Sequence, residues 1–336
     1  METIILNAND PESISRCADV IRSGGLVAIP TETVYGLGAN ALDENAVAGI
    51  FATKGRQPDN PLIVHVASVD DVKPLVSFIP EVFETLANKF WPGPLTLIMK
   101  KSDLVPSNVT AGGHTVAIRI PEHSAALSLI RASGCPIAAP SANPSGQPSP
   151  TKAIHVKSDL DGVIPYILDG GDCRVGLEST VLDISEDVPR ILRPGGVTSD
   201  ELAALLGAIE IDGTLSTDAP RSPGMKYRHY APNAPVTVVL GAPDTTADYI
   251  RENMCADFAA LMFDDYAFNH PNVVTYGDST DYVAQAAHLF DALRKLDDMN
   301  STAIFAQAPH ENGLGRAVAN RIKKAAGNNI VDLGKK

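Results

Sequence analysis

LVAIPTETVYGLGANA, residues 26–41, is the stretch on which the fold class turns. Residues 26–29 read as a short buried strand, and GLGANA (36–41) matches G-x-G-x-x-A. A dinucleotide-binding fingerprint sets its glycines directly at a strand-to-helix turn, with an acid ending a second strand about 20 residues later. Here PTETVY separates the strand from the glycines, and Asp59 falls inside the turn-like RQPDNP. The stretch therefore reads as a polar loop at the carboxyl end of a buried strand, carrying Thr31, Glu32, Thr33 and Tyr35. Such strand ends are usual places for a small-ligand site.

Outward from that loop the pattern is α/β. Asp10-Pro11 starts a helix with Ile14, Cys17, Ala18 and Ile21 on one face, stopped at Gly24-Gly25. A second helix starts near Asp43, and others are expected near 81–90 and 123–132. Strands are expected at 62–66, 95–99, 115–120, 136–139, 164–168, 179–184 and 190–193. Short strands without regular helix alternation point to a mixed sheet. Residues 207–235 hold a cluster of prolines and glycines and read as a linker. From Val236 strands and helices alternate, which predicts a smaller, largely parallel sheet with flanking helices. The expected division is 1–207, a linker at 208–235, and 236–336.

The 336 residues are 44% hydrophobic and 20% charged, ordinary globular usage. No apolar run approaches the roughly 18 residues of a membrane span. METIILNANDPES lacks a basic segment followed by an apolar one, so a cytoplasmic protein that does not engage membranes is expected. Cys17, Cys135, Cys173 and Cys255 lie far apart without metal-ligand spacing, which argues against zinc and against a disulfide framework. Net charge is −13, and the first 205 residues carry 15 basic and 24 acidic side chains. That balance lacks the footprint of a nucleic-acid binder. GxxxxGK[ST], HExxH and GxSxG are all absent.

Several segments are polar beyond structural need. KGRQPDNPLIVHV (54–66) sets Lys54 and Arg56 around a glycine, so both cations can reach one anion. Asn60 sits in a rigid turn, and His65 in an otherwise apolar strand. PIAAPSANPSGQPSPT (136–151) leads from a small-residue strand to Ser141 and Asn143 on same-side positions, whose oxygens suit Mg²⁺ or phosphate. Ser149 follows, and Thr151 is placed to cap the next helix. TVAIRIP (115–121) buries Arg119, a cation that wants an anion. GLESTVLDI (176–184) opens a strand with Glu178, Ser179 and Thr180, and ILRPGGVT (191–198) ends one with Arg193. Convergence of Lys54, Arg56, Arg119 and Arg193 would suit phosphoryl or nucleotidyl transfer. SPGMKYRHYAP (222–232) interleaves basic and aromatic residues without an acid, fitting nucleic-acid binding or a lid over an anionic ligand.

Together with FWPGPLTLIMK (90–100), these motifs in this order resemble the threonylcarbamoyl-AMP synthase family in its long two-domain form. The likeness covers residues 1 to about 235 by motif and the last hundred only in general character. It implies a YrdC-like twisted mixed sheet with an open cleft and flanking helices, followed by a smaller Rossmann-like domain. It also implies a nucleotidyltransferase that condenses L-threonine, bicarbonate or CO₂, and ATP into threonylcarbamoyl-AMP with release of pyrophosphate. The product would pass to a tRNA threonylcarbamoyltransferase, for threonylcarbamoyladenosine. By this resemblance Lys54 and Arg56 would be catalytic, and Arg56, Asn60, Thr115, Ser141, Asn143, Ser149, Arg193, Tyr227 and Asn233 would contact ATP. Ser141 and Asn143 would help hold Mg²⁺ with the phosphates. Thr33, His65, Arg119 and Ser179 would line the threonine side, Arg119 meeting its carboxylate. Lys226, His229 and Tyr230 would belong to a lid. The competing reading is an RNA-binding protein without turnover, and weak tRNA binding is compatible with either. Carbamoyl transferases with a related domain would need zinc-finger and acylphosphatase modules, which this chain lacks.

Overall fold

Local chemistry sets where the early helices begin. Asp10 accepts from the backbone N–H groups of Glu12 and Ser13, and Pro11 takes the first helical position. Asp43 does the same for Asn45 and Ala46. The second helix ends on Gly55 at φ 59°, a left-handed conformation that glycine adopts without strain. This places Lys54 and Arg56 on either side of a sharp change in chain direction.

The computed structural model describes residues 2–211, 229–327 and 329–334. The chain divides into two compact units, one of Met1–Ser145, Ser149–Arg174 and Glu178–Lys226, the other of Gly146–Pro148, Val175–Leu177 and Tyr227–Lys336. In the larger unit the elements are β1 (Ile4–Asn7), α1 (Pro11–Arg22), β2 (Val27–Ile29), β3 (Gly36–Asn40), α2 (Glu44–Lys54), β4 (Ile63–His65), α3 (Phe83–Phe90), β5 (Leu95–Lys100) and β6 (Thr115–Arg119). They continue with α4 (Ser124–Ser133), β7 (Ile137–Ala138), α5 (Ala153–Leu160), β8 (Tyr166–Asp169), β9 (Thr180–Asp183), β10 (Arg190–Arg193), α6 (Ser199–Leu206) and β11 (Glu210–Ile211). Their strands form one 11-stranded sheet in the order β1-β8-β2-β3-β7-β4-β6-β5-β9-β10-β11. The sheet is mixed, as expected: β4 and β6 run parallel, while β7 and β5 flank them antiparallel.

The smaller unit holds β12 (Val236–Leu240), α7 (Pro243–Asn253), β13 (Phe258–Met262), β14 (Val273–Thr275), α8 (Tyr282–Asp298), β15 (Ala303–Gln307), α9 (Gly315–Ala326) and β16 (Ile330–Asp332). Its five strands are all parallel, in the order β14-β13-β15-β12-β16. This is the alternating α/β architecture anticipated, although β15 separates the first two strands, unlike the usual dinucleotide-binding order. Among the described residues no helix is long and apolar enough to cross a membrane.

Three local expectations need correction. The glycines of 36–40 form a strand, β3, between β2 and β7, where the sequence read as loop. Thr151 does not cap α5; Lys152 occupies that position without a side-chain bond, and the Thr151 N–H meets His155 Nδ1. Helix α6 was not anticipated, although Thr198 and Glu201 form a full capping box. Most of the expected linker, residues 212–228, lies outside the described residues.

Register decides which side chains share a face. Ile63, Ala117 and Ile98 are cross-strand partners, and with Val181 and Leu192 they form a small apolar floor. The opposite face of the same strands, Val64, Ile118, Leu97, Leu182 and Ile191, belongs to the main core. A Cβ at Gly195 would stand 2.3 Å from the Thr180 nitrogen and 2.4 Å from the Glu178 oxygen, both backbone atoms. Gly195→Ala is therefore expected to cost about 1–3 kcal/mol of stability, as overpacking does. Urea unfolding of the variant beside the parent chain checks this; an unchanged midpoint would contradict the packing described.

Candidate active site

The floor is rimmed by polar side chains in one row. His65 pairs in register with Arg119, Thr96 follows on β5, Thr96 pairs with Val181, and Val181 with Arg193. A register shift between Ile191 and Arg193 brings Leu192 and Arg193 to the same face. Since β4 and β6 are parallel, His65 and Arg119 both end their strands at this row. Thr115 and the Asn60–Leu62 segment lie at the other end, roughly four residues or about 13 Å away.

At that far end Lys54 is almost wholly buried and donates to the carbonyl oxygens of Ser141 and Asn143. Burial, reinforced by Arg56, holds its ammonium pKa well below the ordinary lysine value. Arg56 donates from Nε to the Asn60 carbonyl at 3.2 Å and from Nη2 to the Pro61 carbonyl at 2.8 Å. At this end of the sheet a cavity of about 370 Å³ opens between Pro61-Leu62, the 110–115 turn and Ser185-Glu186, with Thr115 and Ala117 in its wall. Its volume lies in the range of small-molecule sites.

The near row has its own network. Arg119 donates from Nη1 to Thr33 Oγ1 at 2.8 Å and from Nε to the Gly93 carbonyl at 3.1 Å. Its Nη2 stands 2.7 Å from Glu32 Oε1, an ion pair whose side chains are 4% and 2% exposed. Thr31 Oγ1 ties the turn by accepting from the N–H groups of Thr33 and Val34. Thr96 and Ser179 hydroxyls share a 2.7 Å bond, and Arg193 Nη2 donates to the Ser179 carbonyl at 2.9 Å and its hydroxyl at 3.2 Å. Ser149 Oγ donates to Glu178 Oε1 at 2.6 Å. His65 is buried, and burial together with the Arg119 charge pushes its pKa down to about 3.

The expected residues of the larger unit thus fall into two groups. Lys54, Arg56, Asn60, Thr115, Ser141 and Asn143 gather at one end, while Thr33, His65, Arg119, Ser179 and Arg193 gather at the other. Of the four cations, Lys54 and Arg56 belong to the first group, while Arg119 and Arg193 stand three strands apart along the row of the second. Lys226 and Tyr227 lie outside the described residues. His229, Tyr230 and Asn233 belong to the smaller unit. There Tyr230 stacks 5.2 Å from Phe290 and beneath the Arg321 guanidinium, and the Asn233 N–H meets Asp297 at 2.6 Å. Thr96 escaped the sequence reading because a threonine inside an apolar strand has an ordinary β-branched role. Glu32, the one carboxylate in residues 26–41, carries no sequence signal of its partner, Arg119.

Among the described residues no cluster of three or more His, Cys, Asp or Glu offers a metal site. A cation here would meet neutral hydroxyl and amide oxygens, a donor set suited to Mg²⁺ that arrives already bound to phosphates.

His65 is neutral in the folded chain above about pH 3, whereas an unfolded histidine takes a proton near 6.5. Acid therefore favours the unfolded state through this window, and stability falls as pH drops from about 6.5 toward 3. One such group steepens the slope by up to about 1.4 kcal/mol per pH unit. Denaturant titrations across this range check it, the expected result being a shallower slope in His65→Gln.

A family model described as Telomere recombination matches residues 19–195, and one described as Threonylcarbamoyl-AMP synthase, C-terminal domain, matches residues 197–327. The chain is 48% identical to threonylcarbamoyl-AMP synthase of Pyrococcus abyssi over 98% of its own length and 100% of the relative's. It is 46% identical to the Bacillus subtilis threonylcarbamoyl-AMP synthase, covering 97% and 96% of the two chains. The crystal structure of P. abyssi Sua5 complexed with L-threonine superimposes with a TM-score of 0.92 at 46% identity, covering 98% of this chain and 100% of that one. Likeness of this degree, extending through both units, makes the chain a member of the threonylcarbamoyl-AMP synthase family.

Proposed function

We propose that the protein joins L-threonine, bicarbonate or CO₂, and ATP into threonylcarbamoyl-AMP and pyrophosphate, using the polar face of the 11-stranded sheet. The observation that carries this reading is the two-ended arrangement of buried cations, Lys54 and Arg56 at one end and Arg119 and Arg193 at the other. Threonine would sit at the row of Thr33, His65, Arg119 and Ser179. The nucleotide would extend toward Lys54, Arg56, Asn60, Ser141 and Asn143, with Thr115 and the adjoining cavity at its far part and Ser149 and Arg193 nearer threonine. The threonine ammonium and bicarbonate give a carbamate with loss of water and a proton. A carbamate oxygen then attacks the α-phosphorus, the new P–O bond replacing the bond to the departing pyrophosphate.

Such a displacement depends on positioning and on stabilising charge, and needs no protein nucleophile. Lys54 and Arg56 would neutralise charge on the phosphates, and neutral His65 would offer a hydrogen bond without adding charge. Mg²⁺ held by the phosphates with Ser141 and Asn143 would offset further negative charge on them. The adenylate would be handed to a tRNA threonylcarbamoyltransferase in the cytoplasm. Pyrophosphate release from purified protein with ATP and Mg²⁺ should require both threonine and bicarbonate. Lys54→Ala and Arg56→Ala should each lower it about 100-fold or more, as loss of a preorganised charge donor does. Release that proceeds without threonine would refute the reading.

A further inference from the structure

Glu32 and Arg119 are both withdrawn from water and stand 2.7 Å apart, yet the contact lacks the angles of a hydrogen bond. Neither Glu32 oxygen accepts a hydrogen bond in the described structure. A carboxylate can accept about four, so this one is markedly under-satisfied for its burial. His65 Nδ1, on the residue paired with Arg119, is also without a partner. A buried ion pair contributes little net stability compared with apolar residues of the same size, so its retention calls for another explanation.

The pair carries one positive and one negative charge, with a neutral histidine beside it. Arg119 alone would attract any small anion, bicarbonate and phosphate included. Balanced by Glu32 it offers such an anion no net attraction. A free α-amino acid brings both charges, a carboxylate for Arg119 and an ammonium for the unfilled acceptor positions of Glu32. We propose that Glu32 determines specificity for the substrate's amino group, so that the seat formed with Arg119 takes a zwitterion and rejects a lone carboxylate or a lone amine. The inference rests on threonine occupying the Arg119 end of the face, as proposed above. It also gives the reaction a direction. Once the nitrogen is carboxylated it is neutral, and the new carboxylate is repelled by Glu32 away from the Arg119 end.

Calorimetric titration of the full-length protein tests this with three probes: L-threonine, 2,3-dihydroxybutanoate, which lacks the amine, and threoninol, which lacks the carboxylate. The parent chain should bind threonine at least about tenfold more tightly than either analogue, because each leaves a buried charge unmatched. Glu32→Gln should bind dihydroxybutanoate more tightly than the parent does, and lose most of threonine's advantage. Arg119→Gln should shift preference toward threoninol. A folded Glu32→Gln protein that keeps the parental preference overturns the proposal. Should that variant fail to fold, parental protein that binds dihydroxybutanoate as tightly as threonine overturns it as well. Arg119→Gln protein that binds threonine as tightly as the parent would instead remove the underlying placement of threonine, whatever Glu32→Gln shows.

Discussion

The parallel pairing of β4 with β6 between two antiparallel neighbours is the constraint on which the site depends. It brings His65 and Arg119 to the same end of the sheet, and the antiparallel step to β5 sets Thr96 in the same row. The parallel step to β9 and the bulged return on β10 extend the row to Arg193. Strand side chains alternate strictly, so a slip of one residue in any of these pairings would turn the row into the main core. The apolar positions on the other face, Val64, Ile118, Leu97 and Leu182, guard against such a slip by filling that core.

Much of this was legible in the residues themselves. Polar side chains at the ends of short apolar strands stood out because they interrupt burial, and His65, Arg119 and Arg193 were all found that way. What could not be read was pairing. Sequence showed that Arg119 needs an anion but not that Glu32, 87 positions earlier, already faces it. Strand β3 was hidden for a physical reason. A Cβ at Gly38 would come 2.9 Å from the Ile137 side chain, so close neighbours demand glycine where propensity argues against a strand. Helix α6 does carry a readable signal, the Thr198–Glu201 box, directly after a Pro-Gly-Gly that by itself reads as a turn.

The Lys54 end of the face follows a different physical logic from the Arg119 end. Arg119 is balanced by a carboxylate, whereas Lys54 is held by two carbonyl oxygens, which satisfy its N–H groups without neutralising its charge. Burial and the neighbouring Arg56 both disfavour the ammonium, with only Asp159 acting the other way. The fold thus holds two cations together at some cost to its own stability, a pattern characteristic of functional sites. A polyanion placed there relieves that repulsion and returns the lysine toward its ordinary basicity. On the proposed reading the two ends would serve different substrates: the Glu32–Arg119 pair a small zwitterion, and Lys54 with Arg56 the triphosphate. The proposed chemistry would then require only that a carbamate formed at one end reach the phosphorus held from the other.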